Sequence, residues 1–401
     1  MIHKAYKFRL YPAPDQEEFL CRSFGASRWV YNYFLNYRDS KFKNDGIKEN
    51  YFSMAKVLTS LRKQEETSWL KEINSQSLQC ALANLDSAYI KFFKGQTKFP
   101  KFKSKNGKQS FEIPQHWKLN GDTVKIPKLK TSLKFVKHRE IIGKICSITI
   151  SKTKANKYFI SFCCEVENNY QQTAGPEIGI DLGIKDLIIC SDGTKYENHK
   201  FHKKNLKKLK TLQRHLSRKR KGSKRRQKAK LKLAKLHEKI TNSREDLYHK
   251  ISNDLTNKYS LICLESLNVK NMMKNHNLAQ AIGDCSWFSL VSKIEYKAQW
   301  KGVKVVKIDQ FYPSSKTCSV CNWKKNDLTL NDREWTCPKC GTHHDRDLNA
   351  AKNILAWGRR FITLSDGTSD YRRGDEVKLK RVKSTRNVSS VKRLKEGGIS
   401  R

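Results

Sequence analysis

The chain has 401 residues, with 82 Lys and Arg against 38 Asp and Glu for a formal charge of +44, and it is only 37% apolar. That excess is more than solubility requires and points to a polyanionic partner, while the length allows two or three domains and at least one sizeable core. No run of about 18 apolar residues occurs, which excludes a membrane-spanning helix on length.

Residues 2–10 alternate, with Tyr6, Phe8 and Leu10 on one side and Lys7 and Arg9 on the other, until Pro12 ends the run. The pattern predicts a half-buried strand with a basic outer face. From Asp15 the period lengthens: Phe19, Ala26, Trp29/Val30 and Tyr33/Phe34, then Leu78, Leu82, Leu85, Tyr89 and Phe92, recur at three- and four-residue steps before Gly95. Residues 13–95 therefore read as a helical unit. Between 96 and 172, β-type runs such as Cys146-Ser147-Ile148-Thr149-Ile150 and Tyr158-Phe159-Ile160-Ser161-Phe162 are separated by turn residues. A small β-barrel made of 1–12 and 96–172, with the helices inserted, is expected. Basic residues interleave with aromatics, as in Lys98-Phe99-Pro100-Lys101-Phe102-Lys103, which favours stacking plus phosphate contact and so nucleic acid over a membrane.

The second half opens on Glu177-Ile178-Gly179-Ile180-Asp181-Leu182-Gly183, an apolar strand running into Asp and Gly, with Leu187-Ile188-Ile189-Cys190 as its hairpin partner. A helical hairpin over 201–257 follows, broken at Gly222-Ser223; from 201 to 240 it holds 18 Lys and Arg against the single acid Glu238. A solvated charged face is the bland reading of such a stretch, but cations with almost no acids to pair with call for phosphates. Another apolar strand, Leu261-Ile262-Cys263-Leu264, ends in Glu265, and Val303 to Ile308 forms a further one. The tail over 366–401 is basic with few large apolar residues, and we expect it to be disordered.

Two sites stand out. Cys318, Cys321, Cys337 and Cys340 form C-x2-C, fifteen residues, C-x2-C, the spacing of a zinc ribbon over 314–341 in which two tight turns converge on one ion. Four thiolates leave no open coordination position, so that Zn²⁺ is structural; His343 and His344, just beyond, are alternative ligands. The other eight cysteines are scattered and Met1-Ile2-His3-Lys4 opens no apolar signal core, which suggests a reducing interior and a soluble intracellular protein. Asp181 and Glu265 end core strands and Asp347 begins a helix, the arrangement that two Mg²⁺ (or Mn²⁺) ions about 3.5–4 Å apart require for phosphodiester hydrolysis. Taken singly, a strand-end Asp before Gly also suits a turn and Glu265 also suits a helix cap. Asp345 competes with Asp347, but residues two apart on a helix point in different directions.

In that order, Ile178 to Gly183, Leu264-Glu265, the four-cysteine ribbon and Asp345-Arg346-Asp347-Leu348-Asn349-Ala350-Ala351 resemble the TnpB family of transposon-encoded RNA-guided DNA endonucleases of the IS200/IS605 group. Tyr6 to Pro12 and the stretch from Leu216 to His237 resemble it too. The resemblance covers about 1–360 and implies an α+β multidomain chain. It would comprise a β-barrel wedge (1–12 and 96–172) with an inserted helical recognition domain (13–95), and a RuvC-like, RNase H-fold α/β nuclease domain (173–313 and 342–365) carrying the inserted zinc ribbon. It implies a guide RNA from the transposon end, a short target-adjacent motif and a double-stranded DNA target cut at one centre, with one protein per RNA in a prokaryotic cytoplasm, close to the nucleoid. Arg333 would then stabilise the scissile phosphate, and Tyr51, Gln76 and Gln79 would read the motif. Tyr6, Lys7, Arg9, Lys219, Arg220, Arg225 and Arg226 would contact nucleic acid. Rivals are a guide-dependent transcriptional regulator or transposition accessory factor without cleavage, a guide-free integrase, and a single-strand transposase. The last uses a His-hydrophobic-His pair, and His343-His344 lacks the intervening residue.

Overall fold

The structure, a computed structural model, describes residues 1–167, 174–329 and 332–365; the basic tail expected over 366–401 lies outside the described residues. The alternating N-terminal run forms β1 (Ile2–Leu10), with Phe8 and Leu10 buried and Lys7 exposed. Pro14 starts α1 (Pro14–Asp45), where a missing N–H removes no helical bond, and Gly46 ends it in the left-handed region at φ 67°. α2 (Tyr51–Leu61), capped by Asn50, and α3 (Ser75–Phe93) pack on α1 through Val30, Phe34, Met54, Leu78 and Leu82, a core of their own.

β2 (Gln109–Ile113), β3 (Lys118–Asn120), β4 (Thr123–Lys125), β5 (Leu133–Val136), β6 (Lys144–Lys152) and β7 (Tyr158–Val166) complete an antiparallel sheet in the order β2-β6-β7-β1-β5-β4-β3. β1 pairs with β7 from Ile2 opposite Val166 to Leu10 opposite Tyr158, which ties the start of the chain to the last strand of this region. Phe8, Val124, Phe135, Ile150 and Phe162 share one core, so the sheet curls. The end strands β2 and β3 are not paired with each other among the described residues, so hydrogen bonds do not close the expected barrel.

In the second half, β8 (Glu177–Asp181), β9 (Asp186–Cys190) and β10 (Lys195–Glu197) form an antiparallel meander. The basic hairpin is α4 (Phe201–Ser217) and α5 (Lys224–Lys258), turned at Gly222 (φ 86°), capped by Ser223 and seamed by Leu209, Leu236 and Ile240. β11 (Leu261–Glu265) enters parallel to β8. The short α6 (Val269–Met272), α7 (His276–Cys285) and α8 (Trp287–Lys301) lead to β12 (Lys304–Ile308), parallel to β11. The sheet order β10-β9-β8-β11-β12, an antiparallel meander continued by two parallel strands, is the RNase H arrangement. Ile180, Ile251, Ile262, Leu264, Leu290 and Ile294 form its main core.

β13 (Glu334–Thr336) and β14 (His343–Asp345) make the ribbon hairpin, which extends past residue 341 and runs directly into α9 (Arg346–Ser365). Met1–Gly358 is one compact unit; residues from Arg359 belong to a second, whose described part is helical. Among the described residues no helix is long and apolar enough to cross a membrane.

Helix α9 lies almost in backbone contact with the sheet. A β-carbon at Gly179 in β8 would overlap the carbonyl oxygen of Ala351 and sit 2.7 Å from the amide nitrogen of Leu355, and one at Gly358 would overlap Cys263 Sγ in β11. Glycine inside a strand marks such an approach. Gly179→Ala must push α9 outward and should lower stability by about 2 kcal/mol, in the range of overpacked cores. An unchanged denaturation midpoint would show that the helix is not seated this tightly.

Candidate active site

β8 and β11 are parallel neighbours in register, Ile180 opposite Leu264, so Asp181 and Glu265 come next along the two strands at the same edge of the sheet. Asp347 lies in the first turn of α9, whose height over that edge is set by Gly179 and Ala351. All three carboxylates are partly buried. Burial pushes the Asp181 carboxyl well above the usual range, and the negative charges of Glu265 and Asp347 push it further, against Arg346 and the Leu182 amide. Burial raises Glu265 too, opposed by the hydrogen bond that Ser314 Oγ donates to Glu265 Oε1 at 2.7 Å.

Asp345 has a different task. Its Oδ1 accepts the amides of Asp347 (2.9 Å) and Leu348 (3.1 Å), capping α9, and its Oδ2 meets Lys195 Nζ at 3.1 Å. Burial alone would raise its carboxyl, yet these partners hold it below the usual range. With both oxygens engaged, Asp345 sets the start of the helix and leaves Asp347 to act on Asp181. Asp347 carries a guanidinium on each oxygen: Arg333 Nη1 at 3.2 Å from Oδ2, and Arg346 Nε and Nη2 at 3.0 Å from Oδ1. Arg333, named from the resemblance, therefore reaches the carboxylate cluster, with 57% of its side chain exposed.

The all-oxygen donor set suits a hard divalent cation, and Asp181, driven toward its protonated form first by burial and then by two like charges, sits where such a cation would relieve the repulsion. Among the described residues only the four cysteines bring their ligand atoms within 4.8 Å of one another, as a single ion needs. A two-ion centre, with its ions about 3.5–4 Å apart, is spanned by a wider set of ligands.

The ribbon's two knuckles are alike. Cys318 O accepts the amide of Asn322 at 3.0 Å and Cys337 O that of Gly341 at 2.8 Å, with Asn322 and Gly341 both left-handed at φ 60° and 71°. Cys318 and Cys340 sulfurs are 3.7 Å apart, and those of Cys321 and Cys337 3.5 Å. His344 Nε2 lies 3.1 Å from Cys318 Sγ, buried beside Trp335, while His343 Nδ1 meets Thr336 Oγ1 at 3.2 Å.

The residues named for nucleic-acid contact fall in separate places. Lys7 and Arg9 share one face of β1 above Phe159, Arg9 also donating to Tyr158 O at 3.3 Å, and Tyr6 packs against the sheet core. Tyr51 opens α2 against the helical core; Gln76 and Gln79 lie one turn apart on α3, Gln76 bonded to Gln115 Oε1 at 3.2 Å and Gln79 exposed. Lys219, Arg220 and Arg225 are exposed at the hairpin turn. Arg226 instead donates to the carbonyls of Leu216 (2.7 Å) and Lys219 (2.8 Å), so its guanidinium holds that turn closed. Sequence reasoning missed Arg346, Ser314 and Gly179. A glycine amid apolar strand residues was a usable sign, an arginine between two acids a weaker one, and Ser314 carried none.

Three family models match the chain. One of the IS605 OrfB type, described as "Probable transposase", covers residues 161–276. A Cas12f1-like TNB domain covers 287–354. A "Helix-turn-helix domain" covers 1–47, where the structure has β1 followed by the single helix α1. The chain is 35% identical over 399 residues to a "Putative RNA-guided DNA endonuclease" of Streptomyces pristinaespiralis, covering 98% of this chain and 99% of that protein. It is 32% identical to the "Putative RNA-guided DNA endonuclease InsQ" of Escherichia coli K12, over 90% and 94%. The "TnpB-like protein L770" of Acanthamoeba polyphaga mimivirus is 26% identical, over 88% and 72%. In fold, the chain is similar to the protein of a solved Cas12f1-sgRNA-target DNA complex, with a TM-score of 0.56 at 15% identity over 88% of this chain and 98% of that one.

Proposed function

The chain belongs to the TnpB family of IS605-type elements, and from that premise we propose that it is an RNA-guided DNA endonuclease cutting double-stranded DNA at a single RuvC-like centre. One observation carries the choice of centre: Asp181, Glu265 and Asp347 converge from two strand ends and a helix start, and the charges of the latter two act on Asp181. Mg²⁺ or Mn²⁺ bound there would supply an activated water and charge neutralisation at the phosphodiester. The protein's part is placement. Arg346 and the capping of α9 by Asp345 hold Asp347, and Arg333, more than half exposed beside Asp347, would reach the scissile phosphate. Zn²⁺ at Cys318, Cys321, Cys337 and Cys340 would be structural, since four thiolates complete its coordination.

The curled sheet of 1–12 and 96–167 and the helices of 13–95 would serve as wedge and recognition domains, with Tyr51, Gln76 and Gln79 reading the target-adjacent motif. The nuclease domain would be 174–313 and 346–365, with the ribbon at 314–345, since its hairpin runs through β14. Lys7, Arg9, Lys219, Arg220 and Arg225 would grip phosphates, target choice resting on base pairing with a transposon-end guide RNA. The deciding experiment is to sequence the RNA that copurifies with the protein and ask whether it directs cutting of matching duplex DNA. Cleavage that ignores the RNA overturns the reading.

A pH dependence follows from Asp181. A carboxyl with a raised folded-state pKa keeps a proton that the unfolded chain releases, so metal-free stability declines as pH climbs from about 3.9 through the raised value. Divalent ions bind the deprotonated form, so the rise in melting temperature on adding Mg²⁺ should be small at pH 5 and larger at pH 8. Equal gains at both pH values, or the same pattern in Asp181→Asn, would count against this assignment.

A further inference from the structure

We propose that Ser314 is a positioning residue for Glu265, joining the carboxylate centre to the first knuckle of the ribbon. The inference rests on the nuclease reading above. Ser314 is 5% exposed, and its hydroxyl, donated to Glu265 Oε1 at 2.7 Å, is the one hydrogen bond made to that carboxylate among the described residues.

Ser314 is itself held rigidly. Its amide donates to Tyr312 O at 2.8 Å, and the next turn is closed by Thr317, whose amide and hydroxyl both reach Pro313 O, at 3.2 and 3.0 Å. Asn353 Nδ2 donates to Ser314 O at 2.7 Å and to Thr317 O at 2.6 Å. One turn earlier on α9, Asn349 Nδ2 donates to Thr317 O at 2.7 Å, and its Oδ1 accepts the amide of Ser319 at 2.9 Å. The two residues flanking Cys318 are thus fixed by one side chain. Asn349 and Asn353 are 1% and 2% exposed, and a buried amide with its groups engaged is confined to one orientation.

The same helix therefore delivers Asp347 to the cluster and grips the base of the ribbon, and the segment it grips orients Glu265. A carboxylate near other negative charges swings away unless something fixes it, and outer residues that orient metal ligands typically affect metal affinity about 10- to 100-fold. Ser314→Ala removes only the hydroxyl. The carbonyls held by Asn353 and Asn349 remain, so zinc content should stay at the wild-type value and the melting temperature should fall by only the few degrees that one lost hydrogen bond to a carboxylate costs.

The test is Mn²⁺ binding followed by electron paramagnetic resonance on the full chain, with Glu265→Gln as the reference. Ser314→Ala should raise the Mn²⁺ Kd about 10-fold, and Ser314→Thr, which keeps the hydroxyl, should recover most of the loss. If Glu265→Gln binds Mn²⁺ as the wild type does, the nuclease reading itself fails. If Glu265→Gln loses binding but Ser314→Ala matches wild type, the positioning inference is overturned while that reading stands. A Ser314→Ala protein that sheds zinc, or that melts as early as a zinc-free chain, would assign Ser314 to folding and overturn it equally.

Discussion

Replacing Asp181 with Asn should reduce RNA-guided DNA cleavage on the order of a thousand-fold, the loss of about 4 kcal/mol of the several that bound metal contributes to the transition state, and leave guide-RNA affinity nearly unchanged. Asn fills the same volume but cannot carry the charge that a divalent ion needs. It also removes the repulsion that Glu265 and Asp347 exert on Asp181, so metal-free Asp181→Asn should be at least as stable as wild type. Glu265→Gln should lose cleavage similarly. Asp347→Asn should differ in one respect: it weakens ion pairs with both Arg333 and Arg346, so activity and some stability fall together. Gel-based cleavage of a matched duplex, with RNA binding and melting temperature measured on the same preparations, separates these cases. Full cleavage by any one variant would remove that residue from the centre.

Much of this centre was legible because short-range patterns specified it. An apolar run ending in Asp181 and another ending in Glu265 announced strand ends, and the two cysteine pairs announced two turns before any fold was known. Position in the sheet was less accessible. That β11 pairs beside β8 in register, bringing Asp181 and Glu265 to one edge, depends on a contact across the whole basic hairpin, and periodicity carries no information about pairing. The preference for Asp347 over Asp345 rested on both lying on one helix; in the structure Asp345 instead ends β14, and its oxygens cap α9 and bind Lys195. Arg226 shows the opposite limit. Its place among many cations suggested phosphate contact, whereas the tight turn at Gly222 draws its guanidinium onto two helix-end carbonyls. Charge counts describe a surface, but each cation's partner is set by local backbone geometry.

Cys318→Ser should release zinc, unfold the ribbon and abolish cleavage while leaving the sheet and helical cores folded. Among the described residues the ribbon's own apolar cluster has only Cys318, Leu328, Trp335 and Cys337 as buried members, too few to hold it without metal. Zinc binding in such sites supplies about 10–16 kcal/mol, so losing it leaves nothing to offset the ordering entropy of the knuckles. The damage should spread in a defined direction. Asn349 and Asn353 bond the backbone next to Cys318, and when that backbone loosens these two buried amides on α9, the helix that carries Asp347, lose their partners. The main nuclease core, made by Ile180, Ile262, Leu290 and their neighbours, includes no ribbon residue, and the helical core of Phe34 and Leu82 is separate again. Metal analysis should therefore find one Zn²⁺ per wild-type chain and a sub-stoichiometric amount in Cys318→Ser. Limited proteolysis of the variant should cut first within 314–345, with far-UV circular dichroism close to wild type. Active wild-type protein that contains no zinc would end the claim, and Cys318→Ser protein that cleaves normally would show that the ribbon does not support the centre.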